Sequence, residues 1–227
     1  MEFEIRGKKF AAEVRKASDL KPVLAFPEAL KEDFDAYYMI RDVWFSEEER
    51  RRIEAANLRY DYTIIPPAEI GGERIKTFGH YHPEAELGLS YPEVYQVLSG
   101  RAIYLLQREE NGRVVDVVVV EARKGDIVVI PPNYGHVTIN PDDVELRMSN
   151  WVCRSFKSIY EPFAARRGAC YYFVSGEWIK NERYVEVPEP RFAEPNGDFD
   201  VGEMFELVER IEELEFLVKP SKKKIVL

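Results

Sequence analysis

All three histidines of this 227-residue chain fall in two short segments. His80 and His82 lie in KTFGHYHPEAELGLSYPEVYQVLSG, residues 76–100, and His136 closes PPNYGH, residues 131–136. Two positions apart on an extended segment, His80 and His82 project from the same side, roughly 6 to 7 Å apart at the backbone. Two imidazoles so placed can share one metal ion. A third from His136 and a carboxylate from Glu93, which opens the apolar run EVYQVLS, complete a first-row coordination set that leaves one or two positions for substrate oxygens. A lone histidine is usually a hydrogen-bonded structural group; a paired H-x-H with a downstream Glu and a G-H after a proline turn points to a metal site.

The elements that must position these groups read mainly as strands. From Leu58 the apolar period is two, with Leu58, Tyr60, Tyr62 and Ile64 on one face and Arg59, Asp61, Thr63 and Ile65 on the other. Pro66-Pro67 and Gly71-Gly72 punctuate the chain before a strand expected over 73–82. Further strands are expected over 93–99, 101–107, 113–121, 127–130, 137–140 and 144–152, with EENG as an Asn-Gly hairpin turn. About eight short strands with no helices between them predict an antiparallel sandwich or barrel with the histidines inside. On 93–99, Glu93, Tyr95 and Val97 share a face, which makes Tyr95 either a substrate contact or a core tyrosine.

The flanks differ from this centre. Residues 1–57 read as an extension packed on the barrel, including a capping box at Ser46 and Glu49 that starts a helix to about Asn57. Residues 58–160 form the barrel. Residues 161–227 form an arm, with an edge strand over 169–175 and an amphipathic helix carrying Met204, Leu207, Ile211 and Leu214; the whole is one domain.

Composition narrows the function classes. The net charge of −9 argues against a nucleic-acid partner, and the basic run 222–224 reads as a solvated tail. No apolar run is long enough for a membrane helix and the first residues lack a signal-peptide core, so the expectation is a cytoplasmic protein. Cys153 and Cys170 read as reduced thiols.

The wording K-T-x-G-H-Y-H-P, Y-P-E-V-Y-x-V-L-x-G and Y-L-L-Q resembles the archaeal, cupin type of glucose-6-phosphate isomerase, most strongly over 60–140 and poorly beyond Trp151. The resemblance implies a mainly β cupin fold, that is, a jelly-roll barrel with short helical extensions. It also implies interconversion of glucose 6-phosphate and fructose 6-phosphate. The implied metal ligands are His80, His82, Glu93 and His136. The metal would be one divalent ion per subunit, iron first, with manganese, nickel, cobalt or zinc as alternatives. The implied sugar-phosphate contacts are Thr63, Thr77, Gly79, Tyr95 and Tyr38, with Glu93 also the proton-transfer group and a homodimer the expected assembly. Strict alternation puts Thr77 opposite the histidines unless the strand bends at Gly79.

Two features depart from the family's pattern. The 83–92 loop is long and brings Glu86 as a rival carboxylate. The late active-site Tyr and His of some members are replaced by Trp151 and CRSFKSIY, with Lys157 or Tyr160 as stand-ins. A non-catalytic sugar-binding cupin and a metal-dependent cupin oxygenase are the alternative functions.

Overall fold

A computed structural model describes residues 1–227. The period-two pattern of the central segments is realised as two facing sheets. One has six antiparallel strands in the spatial order Ile127–Ile130, Glu93–Ser99, Leu146–Cys153, Leu58–Ile65, Asp35–Ile40 and Glu13–Lys16. The other has the order Tyr134–Ile139, Arg101–Glu110, Arg113–Arg123 and Arg191–Ala193, the last pair being parallel. The mainly β architecture expected from the sequence is present. Two strands of the larger sheet, Glu13–Lys16 and Asp35–Ile40, come from the part of the chain read as an extension.

The main core fills the space between the sheets, with Tyr95, Tyr104, Leu106, Val118, Val137 and Met148 among its buried members. A second core lies on the outer face of the larger sheet, where Tyr60, Tyr62, Ile64 and Trp151 are covered by the C-terminal segment. Burying such side chains removes apolar area from water at roughly 25 cal/mol per Å², so both faces of the six-stranded sheet contribute to stability.

Local signals were obeyed where they are strong. The helix Glu47–Ala55 is capped reciprocally: the Glu49 amide donates to Ser46 Oγ at 3.2 Å and the Ser46 amide donates to Glu49 Oε2 at 2.6 Å. The Asn111-Gly112 turn has both residues at positive φ, 51° and 77°, as a two-residue hairpin of this hand requires.

Three expectations were overturned. No continuous strand runs over 73–82; Glu73–Arg74 pairs and the chain then meets the Tyr134–Ile139 strand only at separate bridges, Lys76 to Ile139 and His80 to His136. The Tyr171–Val174 strand is not an edge, because it lies between Glu177–Lys180 and Glu73–Arg74. Instead of an amphipathic α-helix, Met204–Leu217 forms two 3-10 segments broken at Arg210 (φ −129°, ψ 45°), and Ile211 is only partly covered while Phe205, Val208, Phe216 and Leu217 are buried. Its packing explains the departure. Trp151 Nε1 donates to the Met204 carbonyl at 2.9 Å and the Met204 amide donates to Gln96 Oε1 at 2.7 Å, which fixes the segment's start to the sheet. Phe205 then sits 5.1 Å from Tyr60 and 6.2 Å from Trp151.

Because Phe205 is fully enclosed, Phe205→Ala is expected to cost about 3 to 5 kcal/mol of unfolding free energy in a urea titration. A loss below about 1 kcal/mol would show that the C-terminal segment is not part of the cooperative core.

Candidate metal centre

Four side chains from three places in the chain meet at one end of the space between the sheets. Glu93 opens its strand on the inner face of the larger sheet, His136 lies on the facing Tyr134–Ile139 strand, and His80 and His82 come from the irregular segment that runs along that strand. One donor atom from each lies within 4.8 Å of every other. His80 Nε2 and His82 Nε2 are 3.0 Å apart, and Glu93 Oε2 is 3.3 Å from His136 Nε2, 3.4 Å from His82 Nε2 and 4.0 Å from His80 Nε2.

The backbone makes this convergence possible at Gly79. Its φ of +82° lies in the left-handed region, and a Cβ there would meet Val137 Cγ2 at 2.6 Å and Phe163 Cδ1 at 2.9 Å. Bending at this point puts Thr77, Gly79, His80 and His82 in the lining of the same cleft, which resolves the alternation problem posed by Thr77.

The donor chemistry fits a cation. His82 Nδ1 lies 2.8 Å from the Tyr91 carbonyl, which can only accept, so the ring's proton sits on Nδ1 and the Nε2 lone pair faces His80 and Glu93. Burial, reinforced by the neighbouring imidazoles, holds His80 well below the ordinary histidine range, and burial lowers His136 as well; both rings favour the neutral, ligating form. Burial pushes the Glu93 carboxyl up, but the facing His136 and His82 rings outweigh it and hold it well below the usual carboxylate range. Asn150 Nδ2 donates to Glu93 Oε1 at 2.7 Å, whereas the buried Oε2 has no hydrogen-bond partner. The Nε2 atoms of three imidazoles and one orphaned carboxylate oxygen thus face a common centre. Ligand edges of roughly 3 to 3.5 Å are what metal–ligand bonds of about 2.0 to 2.2 Å produce. The four residues fit a first-row divalent ion.

A cleft partly open to solvent surrounds this cluster. Thr63 and Tyr95 line it as expected. Tyr95 Oη lies 3.3 Å from His136 Nε2, and burial beside Glu93 pushes its phenol well above the ordinary range, so it stays protonated. Thr77 Oγ1 accepts from the Thr138 amide at 3.0 Å, so it also ties its segment to the opposite strand.

Tyr38 is placed differently. It faces away from the cleft, donates to Asp35 Oδ2 at 3.0 Å and packs on Phe3. Its pairing with Ile64, and that of Met39 with Thr63, gives the cleft to Tyr37 and Met39 instead. Glu86 is outside the cluster, accepting from Ser221, and Lys76 is buried against Glu73. Of the proposed stand-ins, Tyr160 lines the cleft 5.5 Å from His80, while Lys157 does not. Several lining residues were missed: Arg41, Arg59, Asn150 and Phe156, the last packed 4.4 Å from His82 and stacked on Tyr91. Arg59 was available to sequence reasoning, since it shares the Thr63 face of its strand.

The family model "Glucose-6-phosphate isomerase (GPI)" matches residues 14–189. The chain belongs to the glucose-6-phosphate isomerase family. It is 32% identical to the glucose-6-phosphate isomerase of Thermococcus litoralis over 133 residues, 57% of this chain and 63% of that protein. The Pyrococcus furiosus glucose-6-phosphate isomerase is 29% identical over 131 residues, 57% of this chain and 64% of that protein. The chain therefore spans somewhat less than two thirds of these relatives. Among solved structures, the Momordica charantia 7S globulin is similar with a TM-score of 0.40 at 18% identity, over 55% of this chain and 33% of that one.

A cation at the centre described above should stabilise the fold by mass action, about 4 kcal/mol at a thousandfold excess over its dissociation constant. Chelator-treated protein is expected to gain several degrees in Tm on adding back a divalent metal, and His136→Ala to lose most of that gain. Gly79→Ala is expected to reduce metal affinity at least tenfold, because Val137 and Phe163 cannot both move aside without shifting His80. Unchanged metal binding in Gly79→Ala would refute that role for the bend.

Proposed function

We propose that the protein is a metal-dependent isomerase that interconverts glucose 6-phosphate and fructose 6-phosphate in the cleft between its sheets. The observation that carries this reading is the convergence of His80, His82, His136 and the orphaned Glu93 Oε2 in a chain of this family. Iron is the proposed native ion, since imidazole and carboxylate ligands suit it, with manganese, nickel, cobalt and zinc able to occupy the same donors.

The reaction moves hydrogen between C2 and C1 of the open-chain sugar. A divalent ion held by His80, His82, Glu93 and His136 would supply Lewis-acid stabilisation of the negative charge that develops on the sugar oxygens. The protein's own groups fix the geometry. Asn150 holds Glu93 by Oε1 and so aims Oε2 at the centre, and Tyr91 fixes the His82 tautomer. Tyr95, held as a phenol, donates a hydrogen bond to a sugar oxygen. Phe156 and Phe78 form an apolar rim that limits water around the reacting carbons.

Glu93 is the only carboxylate at the cluster and is the group able to carry the proton from C2 to C1 at Oε2. Ligation to a cation would make it a weak base, which favours direct hydride movement between the carbons. Substrate deuterated at C2 is accordingly expected to retain most of the label at C1 in product formed in ordinary water. Complete washout of the label would assign the transfer to Glu93.

The isomerase reading is tested by assaying fructose 6-phosphate conversion on chelator-stripped protein, on protein reloaded with iron, manganese, nickel or zinc, and on Glu93→Gln. Reloading is expected to restore turnover and Glu93→Gln to remove at least 99% of it. Stoichiometric metal binding without turnover would leave a sugar-binding protein. Oxygen uptake with a bound substrate would instead indicate an oxygenase.

A further inference from the structure

Tyr81 stands between the two histidines of the H-x-H pair, yet it does not line the cleft. By alternation its side chain leaves the segment on the face opposite His80 and His82. The backbone of this segment is paired on two sides. His80 exchanges hydrogen bonds with His136 at 3.2 and 3.0 Å, and Tyr81 exchanges them with Ile159 at 3.0 and 2.8 Å. Isolated bridges of this kind, with each hydrogen bond worth about 1 kcal/mol net, specify register only weakly. Something further has to fix it.

That contact is at Gly135, the residue before His136. Gly135 lies inside the strand Tyr134–Ile139, where a glycine weakens the strand and commonly marks a close approach by another group. It is not among the positive-φ glycines, so what it supplies is room. A Cβ on Gly135 would meet Tyr81 Cζ at 2.5 Å and Cε2 at 2.6 Å. The Tyr81 ring therefore crosses this strand in the space a side chain would fill and reaches the next one, where Gln107 pairs with Gly135. Gln107 Nε2 donates to Tyr81 Oη at 2.8 Å, and Tyr81 Oη donates to Glu109 Oε1 at 2.8 Å. Both partners are themselves held. Gln107 is 1% exposed and its Oε1 accepts from the Cys170 amide at 2.8 Å, which settles the orientation of the side-chain amide. Arg166 Nη1 donates to Glu109 Oε2 at 2.6 Å. Phe163 packs on the Tyr81 ring at 5.3 Å, so swinging the ring away costs that packing as well as both hydrogen bonds.

We propose that Tyr81 is a positioning residue of the metal centre: pegged across Gly135 and held by Gln107 and Glu109, it sets where His80 and His82 stand relative to His136. This inference rests on the reading of the four donors as a metal site. The action is mechanical. A shift of the peg moves the backbone of residues 80–82 along the Tyr134–Ile139 strand, and both imidazoles travel with it while Glu93 and His136 stay on their regular strands. A binding constellation tolerates only about 0.5 Å of such drift.

The test uses cobalt(II) as the probe, because its visible absorption reports coordination geometry, and reads its dissociation constant by competition with a chromophoric chelator. Wild type, Tyr81→Phe, Tyr81→Val, Gly135→Ala and the Tyr81→Val/Gly135→Ala double variant are compared, with circular dichroism confirming that each is folded. Tyr81→Phe keeps the ring and loses both hydrogen bonds. It is expected to weaken cobalt binding about tenfold, the scale on which outer partners of a metal site act. Gly135→Ala is expected to weaken it further and to shift the cobalt absorption. The double variant is expected to lose no more than Tyr81→Val alone, since the clash at Gly135 needs the ring. Tyr81→Phe decides alone where Gly135→Ala does not fold. Additive losses in the double variant, or affinity and absorption unchanged in Tyr81→Phe, would overturn the proposal. A lowered Tm of the metal-free variants with unaltered cobalt affinity and absorption would overturn it too, because packing alone would then explain Tyr81. If the wild type binds no cobalt, the metal reading fails and this inference with it, whereas binding by the wild type and equally by the variants overturns only the role of Tyr81.

Discussion

Three imidazoles and a carboxylate brought within 4.8 Å of one another in a mostly buried space form a donor set that one shared cation can satisfy. The three imidazoles favour this role for distinct reasons: burial depresses His80 and His136, and the Tyr91 carbonyl fixes the tautomer of His82. Asn150 occupies one oxygen of Glu93 and leaves the other without a partner. Much of the surrounding structure serves to keep these atoms together.

The two sheets supply rigidity and the segment 76–82 supplies reach. Glu93 and His136 stand on regular strands of opposite sheets, whereas His80 and His82 arrive on a stretch bent by the left-handed Gly79 and stitched to its neighbour at single bridges. The Thr77 hydroxyl accepts from the opposing strand and so holds that stretch in place. The second core, under Phe205 and the C-terminal segment, braces the strand carrying Asn150 from behind, through its neighbour Trp151.

Much of this was legible in the sequence. The four candidate metal donors that residue type and spacing single out are brought together in the structure, and the capping box, the Asn-Gly hairpin and the strand Glu93–Ser99 follow local rules that tertiary context did not override. The errors have physical causes. Tyr38 and Tyr37 differ by one position, and on a strand a one-residue choice reverses the face, so the cleft received Tyr37. Helical spacing over residues 204–214 matched a pattern that 3-10 packing against Trp151 replaces, because the segment is held by side-chain hydrogen bonds at its start. Arg59 and Arg41 were overlooked since net charge says nothing about where single charges gather. The alternation that placed Thr63 inside had already placed Arg59 beside it.

The central claim is that His80, His82, Glu93 and His136 hold one divalent ion. Anomalous diffraction from crystals of the iron- or zinc-loaded protein addresses it directly. The account predicts a single strong peak per chain, about 2.0 to 2.3 Å from three imidazole nitrogens and Glu93 Oε2. A peak elsewhere in the chain, or none at a metal excess that fully loads the protein, would contradict it.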